Sequence, residues 1–327
     1  MVDRLKVLAL GWYGASNIGD ELLLGVMHKW VKELGADLVV VSLNPEYTKR
    51  TYGTDSVDFH NIGEIARVMA DCDLMLLGGG GIFQDHHPFN IHALYDPLAL
   101  DISQYARPFY LAKQFGIPTL ILGHGVGPLR SRSAKLVAKD IFSLADFVSL
   151  RDEHSLNLLK SIGVDRDIPV AADPGWFATR DFARLSEEPF YDKEPNSTKR
   201  LALIIRPWSK VPGWEDKLIS ALNRQLPQDW KCVWFAFQHA IDESRAESDA
   251  LFLKQLAAEL DDRIESEIVD CVSVDETVKT ISRCDAVLSM RLHGSIIALA
   301  LGLRSAFLEY DEKMAQAHQM AEVPQNL

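Results

Sequence analysis

The most chemically loaded stretch of the chain is Ser289-Met290-Arg291-Leu292-His293-Gly294-Ser295, which ends one apolar run and opens an apolar helix. Arg291 and His293 alternate beside a helix start, so two cationic donors meet the positive end of a helix dipole. That combination suits an anion. A histidine in such a place is often a packed core residue, but the adjacent arginine and helix start weigh toward the anion site. Two further cations follow strand-like runs: Arg206 in Arg206-Pro207-Trp208, and Lys313 in Tyr310-Asp311-Glu312-Lys313. Arg151 ends another run in Ser149-Leu150-Arg151-Asp152, with Asp152 placed to begin a helix. On an open surface this Arg–Asp pair would contribute little. At the carboxyl end of a strand the arginine fits an anion clamp.

A candidate acid–base group lies near the N-terminus, in Gly11-Trp12-Tyr13-Gly14-Ala15-Ser16-Asn17-Ile18-Gly19-Asp20-Glu21. Gly14 to Gly19 match the glycine spacing of a P-loop, but Asp20 stands where the phosphate-binding lysine belongs, which disfavours triphosphate hydrolysis. Asp20 reads equally as a helix N-cap and as a general acid or base. Two more glycine-rich stretches, 78–81 followed by Ile82-Phe83-Gln84-Asp85, and Gly123-His124-Gly125-Val126-Gly127, read as loops after strands. Four consecutive glycines cost more backbone entropy than a turn needs, so the first is expected to press against a ligand or another domain. His86, His87 and His92 have no fourth ligand in a recognisable pattern and read as a polar loop, with no metal expected.

The elements that must carry these residues alternate. Short apolar runs at 5–11, 37–43, 73–77, 118–123, 147–150 and 169–172 read as strands, with helical periods between most of them. In the helix over 20–34, Leu23, Val26, Met27, Trp30 and Leu34 share a face, and Gly35 follows as a stop. Continuous Val/Leu/Ile runs suit parallel strands covered on both faces. The pattern lapses over 184–199, read as a linker. It resumes with strands at 201–206, 231–237, 268–271, 286–290 and 305–310, and helices at 214–226, 243–260, 274–283 and 294–301. The expected fold is α/β: two Rossmann-like, doubly wound domains over 1–183 and 200–327, facing a cleft at the carboxyl ends of their sheets.

Composition bounds the partners. The 327 residues carry 34 Lys and Arg against 46 Asp and Glu, a net charge of -12, which disfavours a sequence-independent nucleic-acid binder. An anionic ligand therefore needs local cations working against the global field. Four cysteines without a C-x-x-C pair argue against a disulfide framework or zinc ribbon and for a reducing compartment. The start lacks signal-peptide character, and no apolar window approaches the roughly 18 residues of a membrane span. A cytoplasmic location is the expectation.

The ordered motifs resemble the polysaccharide pyruvyl transferase family, of the CsaB type. The matching pieces are GWYGASNIGDE at 11–21, GGGGIFQD at 78–85, GHGVGPL at 123–129, SLRDEHS at 149–155, AADPGW at 171–176, IIRPW at 204–208, FAFQHAID at 235–242, SMRLHGSIIALALG at 289–302 and LEYDEK at 308–313. The resemblance implies a fold like the GT-B glycosyltransferases and transfer of a pyruvyl group from phosphoenolpyruvate to a sugar, forming a cyclic ketal. It places Arg151, His293 and Lys313 at positions that handle phosphoenolpyruvate, and Asp20 at the acid of the first loop. On this reading His293 is the general acid, Asp20 the base, and Arg151, Arg206, Arg291 and Lys313 the electrostatic clamp; the acid and base roles could be exchanged. Gly14, Asn17, Gly19, Gly79, Gly80, Gln84, His124 and Gly125 fall to the backbone and acceptor loops. His124 departs from the glutamine common in the family. Family members usually continue past the last motif, so the end at Leu327 is expected to reflect a truncation or a different closing segment. No cofactor is implied beyond phosphoenolpyruvate as co-substrate. The implied acceptor is a lipid-linked or nucleotide-linked sugar of a cell-envelope precursor, which would bring the enzyme to the inner membrane face.

Two other functions fit the same fold. A nucleotide-sugar glycosyltransferase commonly offers a carboxylate to the ribose from the corresponding site helix, and residues 291–304 contain none. A non-catalytic sugar-binding protein would not need Arg151, His293, Lys313 and an acidic first loop together. A dinucleotide-dependent dehydrogenase is weaker still, because the fingerprint glycines are missing.

Overall fold

The computed structural model describes residues 4–85, 92, 94, 96, 98, 101–178, 182, 198–239 and 249–309. The expected linker at 184–199 falls almost wholly outside the described residues, as do His86, His87 and Lys313. The chain divides into two compact units, one of Met1–Ala15 with Leu23–Pro174, the other of Ser16–Leu22 with Gly175–Leu327.

The first unit holds seven strands: β1 (Lys6–Leu10), β2 (Asp37–Ser42), β3 (Asp55–Asp58), β4 (Leu74–Leu77), β5 (Gly80–Phe83), β6 (Thr119–Val126) and β7 (Phe147–Leu150). Its helices are α1 (Ile18–Glu33), whose first turn belongs to the second unit, α2 (Pro45–Tyr52), α3 (Ile62–Met69), α4 (Ser103–Phe115), α5 (Arg132–Leu144) and α6 (Glu153–Ser161). All pairings are parallel, in the order β3-β2-β1-β4-β6-β5, with β7 on the other edge of β6. Alternate residues along the strands supply two different cores. Leu8, Leu10, Val39, Val41, Met75 and Leu77 pack with residues of α3 to α6, whereas Val7, Ala9, Leu38, Val40 and Leu76 pack with Leu24, Met27 and Val31 of α1. Both faces are therefore covered, which is why the strands read as unbroken apolar runs.

The second unit is a five-stranded parallel sheet of β8 (Lys199–Ile204), β9 (Trp230–Ala236), β10 (Ser266–Asp270), β11 (Ala286–Ser289) and β12 (Arg304–Phe307), ordered β10-β9-β8-β11-β12. Its helices are α7 (Trp214–Gln225), α8 (Asp249–Ala257), α9 (Val274–Ser282) and α10 (Leu292–Ala300). Leu203, Cys232, Trp234 and Ala236 form its core with Leu218 and Leu222 of α7 and Leu253 and Leu256 of α8. In each sheet the strand order reverses once, between β1 and β4 and between β8 and β11. Ligands of doubly wound sheets bind outside the carboxyl ends at such reversals. The 11–21 and 78–81 stretches leave the first reversal; Arg206 and the Arg291–His293 stretch leave the second.

Several expectations are corrected. Residues 169–172 form no strand; Val170 makes one isolated bridge to Leu150. β3 and β5 were not anticipated, the first being a short polar-alternating DSVD and the second beginning within the four glycines. β4 and β5 lie end to end along one edge of β6, so 80–83 continues the sheet rather than forming a loop. The stretch expected as a second glycine loop is likewise sheet: His124, Gly125 and Val126 are the last residues of β6. All four cysteines are unpaired and buried, and burial pushes the Cys232 and Cys271 thiols up to about 12.

Candidate functional site

In the first unit, most of the sequence-predicted glycines make room for the protein's own side chains. Tyr13 is fully buried just past β1. A Cβ on Gly11 would strike its ring, and one on Gly78 its hydroxyl end. Gly14, in a left-handed conformation at φ 70°, lies against the Ser42 hydroxyl and the Asn44 backbone. Gly79 and Gly123 both leave space for the Pro174 ring. Gly80 begins β5 and Gln84 is exposed just beyond it. The neighbouring Asp85 is buried and accepts the Arg130 and Ser131 backbone N–H groups, both at 2.6 Å, at the start of α5.

Arg151 is no surface pair. Its side chain is 9% exposed and its Nη1 donates to Asp173 Oδ2 at 2.8 Å, while its Nε lies 3.8 Å from Asp152 Oδ2. Asp152 also caps α6 by accepting the Ser155 N–H at 2.7 Å. Gly125 provides the space the guanidinium fills. One buried guanidinium thus faces two carboxylates, so its charge is matched before any ligand arrives. Behind it His124 is 0% exposed, its ring centroid 5.7 Å from that of Phe83 and 6.4 Å from that of Phe142. Burial, aided by the Arg151 charge, lowers its pKa to about 3 against the opposing pull of the Leu122 backbone and Asp173. His124 is therefore a neutral core imidazole, not an open-loop contact.

In the second unit, residues from distant parts of the chain converge. Ser16, at φ 56°, turns the chain so that Asn17 pairs antiparallel with Gln238 just past β9. The Ile18 N–H donates to the Phe237 carbonyl at 3.0 Å and the His239 N–H to the Ser16 carbonyl at 3.1 Å. Asn17 Nδ2 donates to Gln238 Oε1 at 2.7 Å, and Asn17 Oδ1 accepts the N–H of Gly19 at 2.9 Å and of Asp20 at 3.4 Å. Asn17, not Asp20, is the cap of α1. Asp20 is left half-buried in the first helical turn, where a carboxylate also complements the dipole.

Gly19 lies against His293: a Cβ there would land on imidazole Nδ1. α10 begins at Leu292, two residues earlier than the sequence suggested, so the half-buried His293 sits inside the first turn. That turn holds no acidic residue and has no side-chain cap. Arg291 precedes it, but its Nη2 donates to both oxygens of Asp249, at 2.7 and 2.6 Å, and the two side chains are 13% and 3% exposed. Its charge too is matched internally. Arg206 is half-buried after β8, with its guanidinium carbon 5.7 Å from the centre of the Trp208 ring. The second unit thus brings together Asn17, Gly19, Asp20 and His293, with Arg291 beside them.

Sequence reasoning missed Asp173, Gln238 and Asp249 as organisers. Asp173 and Gln238 lie in quoted motifs, which was the available signal; Asp249 lies in none. Among the described residues no cluster of three or more His, Cys, Asp or Glu is arranged to hold a metal, and no helix is long and apolar enough to cross a membrane.

Comparison with known proteins bears on the fold and the family. In fold, the chain is similar to S. aureus MnaA solved with UDP (TM-score 0.62, 12% identity, 98% of this chain and 87% of that one). It is also similar to the UDP-GlcNAc 2-epimerase of Neisseria meningitidis bound to UDP-GlcNAc (TM-score 0.61, 13% identity, 98% and 86%). An alpha-glucosyltransferase in complex with UDP and DNA matches at TM-score 0.59 and 10% identity, over 96% of this chain and 82% of that one. At these identities the likeness establishes the fold, a two-domain GT-B-like α/β architecture. In sequence, the chain is 22% identical over 259 residues to the amylovoran biosynthesis protein AmsJ of Erwinia amylovora, covering 74% of this chain and 57% of that relative's length. The family described as polysaccharide pyruvyl transferase matches residues 17–312, which contain every candidate site residue except Gly14 and Lys313. The chain belongs to the polysaccharide pyruvyl transferase family.

Proposed function

We propose that the protein transfers a pyruvyl group from phosphoenolpyruvate to a sugar of a cell-envelope polysaccharide precursor and closes it into a cyclic ketal. The observation that carries this reading is the packing of Gly19 on His293, which puts the first turn of α1, with Asp20, beside the first turn of α10. The reaction needs a proton delivered to the methylene carbon of the donor. This leaves an oxocarbenium-like centre at the neighbouring carbon. One sugar hydroxyl attacks that carbon and loses its proton to a base. Inorganic phosphate departs with the former enol oxygen, and a second hydroxyl attacks and loses its proton to close the ring. His293 is assigned the acid and Asp20 the base, each contributing about 10²–10⁴-fold to the rate. The capless, acid-free start of α10 and the half-buried Arg206 favour the donor's negative charge. Arg151 and Lys313 enter the reading through the family motifs.

A sugar carried on a nucleotide or a lipid is the proposed acceptor, with a cytoplasmic enzyme working at the inner membrane face. Incubation with phosphoenolpyruvate and a panel of such sugars tests the proposal. The expected result is release of phosphate together with a pyruvyl ketal detected by mass spectrometry. Tight calorimetric binding of a UDP-sugar with no binding of phosphoenolpyruvate would instead favour a nucleotide-sugar glycosyltransferase.

A further inference from the structure

We infer that Asp249 is a positioning residue, which sets the geometry between the α1 turn carrying Asp20 and the α10 turn carrying His293. The carboxylate is a junction. On one side it accepts both bonds from Arg291 Nη2, two residues before His293. On the other it accepts the Gln238 backbone N–H at 2.9 Å, and the Asp249 N–H returns to the Gln238 carbonyl at 2.9 Å. Gln238 then reaches Asn17 through its side chain, and Asn17 caps the turn that contains Gly19 and Asp20. One side chain that is 3% exposed thus ties the Arg291 stretch to Gln238, and Gln238 continues the link to the α1 turn beside the Ile18–Phe237 and His239–Ser16 backbone bonds.

Stability alone does not call for such a residue. Taking an ion pair out of water costs about as much as the pairing returns, and apolar replacements are often neutral. What an apolar pair lacks is direction. A carboxylate fixed by Arg291 and Gln238 holds both turns in one relative placement. It also gives Arg291 a different task from the anion clamp: with its charge matched by Asp249, it orients the strand end that presents His293. Gly19 meets His293 without a side chain between them, so small shifts of either turn pass directly to the imidazole.

This inference rests on the acid–base reading of His293 and Asp20, and the experiment separates the two. Full-length Asp249→Asn and Gln238→Met are purified. The second removes the side-chain link to Asn17 while leaving the Arg291–Asp249 pair in place. Each is measured for thermal stability, for kcat and KM of phosphate release, and, without ligand, for the His293 imidazole signals in 15N-labelled protein. Both variants are expected to displace the His293 signals. Both should lower kcat about 100-fold, the cost of an ångström-scale misplacement, with KM for phosphoenolpyruvate close to wild type. If Asp249→Asn does not fold, Asp249→Glu, which keeps the charge but moves the carboxylate away from Arg291 and the Gln238 N–H, carries the test in its place. A folded variant with unmoved His293 signals overturns the inference, as does an intact kcat with a raised KM. If the wild type turns over no acceptor, the functional reading fails while the imidazole signals still decide the positioning role.

Discussion

Replacing Gly19 by alanine separates the geometry of the candidate site from the stability of the fold. The added Cβ falls on His293 Nδ1, about 1 Å inside ordinary van der Waals contact. Gly19 is helical, so its backbone accepts alanine, and a helical Gly→Ala exchange is worth up to about 1 kcal/mol in favour of folding. His293 is half-buried and its ring can swing aside, so the clash is relieved at the imidazole rather than in the core. Net stability should therefore stay within about 1 kcal/mol of wild type. Turnover should not. An ångström of displacement in a reacting group costs about 100-fold, or about 2.7 kcal/mol of transition-state stabilisation. The assay is the initial rate of phosphate release from phosphoenolpyruvate with a competent acceptor, beside calorimetric unfolding of the same samples. Wild-type turnover in a folded variant would show that the present placement of His293 is not the working one. A collapse in melting temperature would show that the ring cannot move, and would refute the argument from the other side.

Three further outcomes are expected. His124 has a pKa of about 3 in the fold against 6.5 for an ordinary histidine, so between those values the unfolded chain binds the extra proton. Its contribution to stability is complete above pH 6.5 and is lost as pH falls toward 3, with a slope approaching about 1.4 kcal/mol per pH unit; urea unfolding at pH 7, 6 and 5 should show a shallower decline in His124→Gln, and parallel curves would disprove it. Asp173→Ala leaves the buried Arg151 short of its direct acceptor and should cost about 3–5 kcal/mol in the same assay, a loss under 1 kcal/mol arguing that the pair is replaceable. Exhaustive chelation should leave phosphate release unchanged; activity lost with EDTA and regained with Mg²⁺ would overturn the metal-free reading.

The elements that declared themselves in the sequence are those whose pattern is local. Val39 to Val41 in β2, or Val233 to Phe235 in β9, are continuous apolar runs because both faces of each sheet are covered. The helix face was legible only in part: Met27 packs on the sheet as its period implies, but Leu24 and Val31 share that packing, and Leu34, expected on the face, is 81% exposed past the helix end. β3 escaped because DSVD offers a single buried apolar residue, and β5 because glycines carry no hydrophobic signal although their backbones pair well with β6. The site was legible in its residue types but not in its partners. His293, Asp20 and Asn17 stood out at strand–helix junctions, where the chain must present polar groups. The bond from Asn17 to Gln238 spans 221 positions and that from Arg291 to Asp249 spans 42, and no local pattern marks either. Asp249 looked like any charged residue on a helix until its burial was seen. His124 misled because a Gly-His-Gly string resembles a loop, whereas Gly80 and Leu150 pair with it on either side.

The glycines of the first unit have a consequence for how such a chain can change over time. Gly11 and Gly78 are moulded to Tyr13, Gly79 and Gly123 to Pro174, and Gly125 to Arg151. In each case the glycine and its bulky neighbour occupy one volume between them, so neither is free to drift alone. A Cβ at 78 is blocked while the tyrosine stands, and shrinking the tyrosine first would open a void at the end of β1 that only later additions could fill. The permitted route runs through the smaller residue before the larger, and the intermediate carries the cost of the cavity. Glycines that look like a ligand's signature in one sequence are thus also a packing constraint, and each is replaceable only together with the neighbour that fills its space.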